Sequence, residues 1–185
     1  MVQAVAERLA TPRELGIAYT ALTPINGLVL TDEQAHAVAG VIGHSLVVLT
    51  GGLGTEKTTV VKVILATVGA HLSAPRMCLT APTGKAARLL SKSTEIAAPT
   101  IHRLLEWAED GPKRTGINPI TADLVVVDEV SMVDLTLTAG PLVALPTTCR
   151  LVLVRDVDQL PPVSPGQVLS DLFANGAATY RLTAV

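Results

Sequence analysis

Between an aliphatic run, Leu46 to Leu49, and a helical pattern rich in valine lies Gly51-Gly52-Leu53-Gly54-Thr55-Glu56-Lys57-Thr58. This is a near match to the spacing GxxxxGK[ST], in which glycines let successive backbone amides converge on phosphate oxygens. The helix that follows such a loop adds partial positive charge at the same place. Gly51, Gly52, Gly54 and Thr55 would form the cradle, Lys57 would reach the β and γ phosphates of ATP, and Thr58 would ligate Mg2+. Glu56 departs from the spacing, standing where it has glycine.

Further along, Val125-Val126-Val127 runs into Asp128-Glu129. An acid at the end of a buried strand, here Asp128, can hold Mg2+ through water, and Glu129 beside it could polarise an attacking water. The plain alternative is a strand that ends in two solvated acids.

The elements that must position these residues are legible in the same pattern. Thr31-Asp32-Glu33-Gln34 reads as a capping box that starts a helix running towards Ile42. Leu46–Leu49, Met77–Thr80, Leu124–Val127 and Leu151–Val154 read as strands, each followed by polar residues. Helices are expected after the glycine-rich loop and over Lys85 to Ser91. Aliphatic runs alternating with helices indicate an α/β fold with parallel strands buried on both faces, and such sheets bind ligands at the carboxyl ends of their strands. Glu106 to Pro119, which mixes charge with Gly and Pro, is either a small β-hairpin or a long exposed loop.

Composition narrows the classes. A chain of 185 residues with 49% hydrophobic and 16% charged residues forms one domain with a real core. A net charge of −2 and a pI near 6.1 exclude nucleic-acid binding by bulk positive charge, so any such contact must be local. Cys78 and Cys149 match no metal spacing or redox motif and read as small core residues. The Met1 end lacks a basic segment followed by an apolar one, and the charge-free stretch His36–Thr55 resolves into helix, strand and loop. A cytoplasmic protein with no membrane span is expected.

Taken together, these motifs resemble those of the RecD-like DNA helicases of superfamily 1. Thr31–Gln34 resembles the family's adenine-reading Q motif, with Gln34 as the reader, and Ala81-Pro82-Thr83-Gly84-Lys85-Ala86-Ala87-Arg88-Leu89-Leu90 resembles motif Ia. Thr100-Ile101-His102-Arg103-Leu104-Leu105 resembles motif Ib, Val127–Asp134 motif II and Asp156–Val163 motif III. The resemblance implies a P-loop NTPase (RecA-like) three-layer sandwich with a mostly parallel central sheet, binding ATP and Mg2+. It makes Lys57, Glu129 and Gln159 catalytic, Gln159 as the γ-phosphate sensor, with Thr58 and Asp128 on the metal. It places Thr83, Lys85, Thr100 and His102 on single-stranded DNA. Only one tryptophan, Trp107, offers itself for base stacking, so that grip would be mainly to the backbone. By the same resemblance, residues 31–185 form the first motor domain with a small insertion near 106–119, and residues 1–30 are an extension or the remnant of a preceding domain.

Three departures stand out: Leu53 where the family has Pro, Glu56 where it has Gly, and Arg155 where its motif III begins with Gly. A carboxylate about 4 Å from a phosphate charge is repelled by roughly 4 kcal/mol at an effective dielectric near 20. Either Arg155 approaches Glu56 and neutralises it, or the departures are decay. The sequence also stops where a second RecA-like domain is expected, which points to a truncated or split protein whose isolated chain is weak or inactive. The expected function is Mg-ATP hydrolysis coupled to single-stranded DNA translocation when a second RecA-like domain or helicase-nuclease subunits complete the site. The alternative is a non-catalytic DNA- or partner-binding remnant, and a small-molecule kinase would leave motifs Ia, Ib and III unexplained.

Overall fold

The computed structural model describes residues 29–52, 54–132, 135–156, 172 and 176–183. In chain order its helices are α1 (Asp32–Gly43), α2 (Lys57–His71), α3 (Gly84–Thr94), α4 (Ile101–Leu104) and α5 (Leu135–Ala144). Its strands are β1 (Leu46–Gly51), β2 (Met77–Thr80), β3 (Trp107–Ala108), β4 (Gly111–Pro112), β5 (Leu124–Val127), β6 (Arg150–Asp156) and β7 (Ala178–Leu182). All four expected strands form, and β1 and β6 continue into the polar residues at their carboxyl ends. Strand β7 was not expected, because its alternating Thr179, Tyr180 and Arg181 lack the continuous aliphatic run of the others.

The main sheet has the order β2-β5-β6-β1-β7, and every pairing in it is parallel. Successive side chains of a strand point to opposite faces, which divides the core in two. Leu46, Val48, Val125, Val127, Leu151 and Leu153 pack on one face with Ile101, Leu105 and Leu142. Val47, Leu49, Leu124, Val126, Val152 and Val154 pack on the other with Val38 and Val41 of α1 and Val60 and Ile64 of α2. Two apolar faces, each covered by helices, make the expected three-layer sandwich. Each fully buried aliphatic side chain contributes roughly 1.5–3 kcal/mol to holding it together.

Local chemistry sets where helices begin. Thr31 accepts from the Gln34 amide at 3.3 Å and Gln34 Oε1 accepts from the Thr31 amide at 3.0 Å, which completes the capping box of α1. Thr83 and Thr100 cap α3 and α4 in the same way, through the amides of Ala86 and Arg103. The far end of α1 has no basic residue of its own, and buried Arg150 of β6 donates instead to the carbonyls of Val41 and Ile42, both at 3.2 Å. The excursion after α4 is a hairpin, with β3 and β4 antiparallel and Trp107 opposite Pro112. Arg114 closes its base on Glu106 at 2.6 Å. Neither cysteine is in a disulfide, and no helix among the described residues is long and apolar enough to cross a membrane.

Helix α1 meets β7 through a close approach at Gly40. A Cβ there would run into the Tyr180 ring, whose edge also packs on His36 at 5.4 Å between centroids. Gly40→Ala is therefore expected to destabilise the protein by about 1–3 kcal/mol, despite the better helix propensity of alanine. In a Tyr180→Ala background the same change should be neutral or stabilising, and urea unfolding of the four proteins of this double-mutant cycle measures the difference.

Candidate functional site

Because the main strands are parallel, all their carboxyl ends lie at one edge of the sheet. That edge carries the loop after β1, the turn Ala81–Gly84 after β2, Asp128 and Glu129 after β5, and Asp156 at the end of β6. Register places Thr50 beside Arg155 and Gly51 beside Asp156.

The loop after β1 is closed on itself. Lys57, the first residue of α2, donates from Nζ to the carbonyls of Gly51 at 2.8 Å and Gly52 at 2.7 Å, and lies 3.7 Å from Asp156 Oδ2. Buried Thr55 donates its hydroxyl to the Gly52 carbonyl at 2.9 Å. Gly51 must lack a Cβ because the Thr55 hydroxyl fills that space. Gly54 adopts φ +82°, a conformation that favours glycine. Leu53 lies outside the described residues. Thr58 is exposed in the first turn of α2.

Glu56 adopts φ 53° and ψ 34°, in the left-handed region, and makes no side-chain cap. This explains why the motif asks for glycine there: a non-glycine residue in that conformation costs about 1–2 kcal/mol. The Glu56 side chain is exposed. Its charge is therefore screened by solvent, more weakly felt than a fixed neighbour of phosphate would be. No ion pair joins it to Arg155 among the described residues. The alternation of β6 accounts for this, because Arg155 falls on the face of Leu151 and Leu153 while α2 covers the face of Val152 and Val154. Among the described residues the buried Arg155 Nε has no hydrogen-bond partner.

Across β6, Asp128 is a half-buried carboxyl pushed up to about 6. Burial is the main cause, and the charges of Glu129 and Asp156 add to it. The Glu129 amide, which donates to Asp128 Oδ1 at 2.9 Å, and the Lys57 ammonium act in the opposite direction. Glu129 itself sits at φ 56°. A carboxyl in this setting ionises more readily once a cation binds beside it.

The remaining candidates are distributed unevenly. Gln34 is buried and its side-chain oxygen is engaged in the capping box. Ala81 bridges to Thr100, and the Ile101 amide donates to the Ala81 carbonyl at 3.0 Å, so the N-termini of α3 and α4 lie together beyond β2. Thr83 and Lys85 are exposed, and the Thr83 and Thr100 hydroxyls serve as helix caps. Exposed His102 stacks at a tilt on Trp107, 5.3 Å between centroids. Gln159 and the rest of 157–163 lie outside the described residues. Sequence reasoning did not select Asp156 as a site residue, although an acid ending a buried strand was signal enough.

Comparison with known proteins follows the same lines. A family model described as an AAA domain matches residues 34–165. The chain is similar to the ATP-dependent RecD2 DNA helicase of Deinococcus radiodurans, 45% identical over 84% of this chain and 21% of that protein. It is also similar to the RecBCD enzyme subunit RecD of Mycolicibacterium smegmatis, 39% identical over 76% of this chain and 30% of that one. It thus spans less than a third of the length of these curated relatives. Among solved structures, the Pif1 helicase of Candida albicans superposes with a TM-score of 0.62 at 20% identity, covering 85% of this chain and 40% of that one. A structure of two coordinating Pif1 helicases at forked double-stranded DNA gives 0.61 at 22% identity, covering 85% of this chain and 44% of that one. Both bear on the fold, which they share with this chain.

Two outcomes follow from the geometry. Glu56→Gly relieves the left-handed strain and is expected to raise the melting temperature by about 2–4 °C, read by differential scanning calorimetry. Burial raises the Asp128 carboxyl above its unfolded value of about 3.9, so its contribution to stability is full below that pH and is lost as pH rises through about 6. Asp128→Asn should then match the native protein near pH 4 and exceed it by about 1–3 kcal/mol at pH 8, in urea titrations at both values.

Proposed function

The chain belongs to the AAA-domain family and is similar to RecD-type helicases, and from that premise we propose that it binds Mg-ATP at the loop after β1 as the first motor domain of a RecD-like DNA helicase. The observation that carries this reading is the convergence on one sheet edge of the Lys57 ammonium, the glycine loop and the acids Asp128 and Asp156. In this reading the amides of the loop and the N-terminus of α2 bind the phosphates, and Lys57 leaves the Gly51 and Gly52 carbonyls to reach the β and γ phosphates. Mg2+, held by Thr58 and Asp128, would neutralise charge on the transferring phosphoryl group. Glu129 orients water, Gln159 senses the γ phosphate and Gln34 reads the base.

Single-stranded DNA is the proposed polymer, following Thr83 and Lys85 across to Thr100 and His102. The adjacency of α3 and α4 supports one continuous track, with phosphate contact from exposed Lys85. Coupling hydrolysis to movement along DNA needs a second RecA-like domain, so these residues by themselves are proposed to bind Mg-ATP and turn it over slowly. A non-catalytic binding role is the second reading, favoured by the strained, charged residue at Glu56.

Titration calorimetry with Mg-ATP separates the two. Binding by the native chain, weakened more than tenfold by Lys57→Ala, is the expected result, and turnover should rise when single-stranded DNA is added. Binding by Glu56→Gly alone would establish the second reading instead.

A further inference from the structure

We propose that Asp156 is a positioning residue for Lys57, its carboxylate holding the ammonium back on the loop until phosphate displaces it. The inference rests on reading the loop after β1 as a nucleotide site. An ammonium has three protons to donate. Two of them go to Gly51 and Gly52, and the charge faces Asp156 Oδ2 at 3.7 Å. The Lys57 side chain is 17% exposed and that of Asp156 7%, so little water screens the pair.

The placement follows from the sheet. Pairing of Gly51 with Asp156 fixes the end of β6 beside the end of β1, and alternation puts Asp156 on the α2 face, where Lys57 begins the helix. The two carbonyls belong to the backbone and carry no net charge. Asp156 supplies the charge that keeps the lysine folded back, and the same charge repels phosphate as it enters. It therefore acts through Lys57, setting how readily that side chain leaves the loop.

Amine acetylation of the 185-residue chain, mapped by peptide mass spectrometry, reads the lysine without any nucleotide. In Asp156→Asn, Lys57 should be acetylated several-fold faster than in the native protein, with exposed Lys62 and Lys85 unchanged. Asp156→Glu, which keeps the charge, should leave Lys57 slow. Titration with inorganic tripolyphosphate in the absence of Mg2+ should show about tenfold tighter binding by the Asn variant. Unchanged acetylation of Lys57 overturns the proposal whatever the titration gives. Faster acetylation with no tripolyphosphate or Mg-ATP bound by either protein upholds the contact and overturns the nucleotide reading on which it was built. Should Asp156→Asn fail to fold, Lys57→Met offers an independent check, because it removes the ammonium that the buried Asp156 carboxylate faces. It should lower the folding equilibrium constant about tenfold more than Lys62→Met, and equal losses overturn the proposal.

Discussion

Strand β1 is hydrogen-bonded on both sides, to β6 and to β7, and is buried at every residue, so the chain leaving it at Gly51 has only the carboxyl edge of the sheet to turn over. Gly51 is the last residue of both ladders, opposite Asp156 on one side and Leu182 on the other. Its carbonyl is one of the two that hold Lys57, and the space above its Cα is filled by the Thr55 hydroxyl. The sheet therefore dictates the path of the loop at its start, and the loop dictates where the lysine rests. A continuous parallel ladder is a firm support, and it keeps oxygen and ammonium at hydrogen-bond distance.

The same edge shows what a sequence can and cannot disclose. Strands β1, β5 and β6 announce themselves because strands buried on both faces carry continuous aliphatic runs, and the capping box at Thr31 announces α1 because both its bonds are local. Asp128 and Glu129 follow from position, since a strand end is where a polar residue first becomes tolerable. Contacts between segments distant in the chain have no such signature. The pairing of Asp156 with Lys57 needs the strand order, and the packing of Tyr180 over Gly40 needs β7 to be an edge strand beside α1. The hairpin at Trp107 was one of two open alternatives because two-residue strands leave almost no periodicity to read.

Helix α1 illustrates how tertiary bonds finish what local chemistry begins. Its first turn carries Asp32 and Glu33, favourable charges at a helix N-terminus, and the Glu33 carboxylate also accepts from the Thr183 amide at 2.7 Å and hydroxyl at 2.6 Å. Its last turn has no cation, and Arg150 supplies one from the start of β6. One helix is thus tied at one end to β6 and at the other to the residue that follows β7. Those strands, β6 and β7, are the ones that flank β1, so the clamp on α1 also secures the neighbours of the strand that feeds the loop.

Strain is concentrated where the chain changes direction, and its distribution separates Glu129 from Glu56. Among the described residues the non-glycine positions at positive φ are Glu56, Ala74, Glu95, Glu106 and Glu129. Glu95 ends α3 as a left-handed cap, a common way to stop a helix. At Glu129 the turn aims the backbone amide at Asp128 Oδ1, so part of the strain is offset by a hydrogen bond to a half-buried carboxyl. At Glu56 the carbonyl accepts from the amides of Thr59 and Val60, at 2.9 and 3.2 Å, and so starts the α2 ladder just as a glycine would. Its side chain adds neither a cap nor an ion pair among the described residues. With glutamate in place the α2 ladder still starts at this carbonyl, at about 1–2 kcal/mol of backbone strain and with one solvent-screened negative charge.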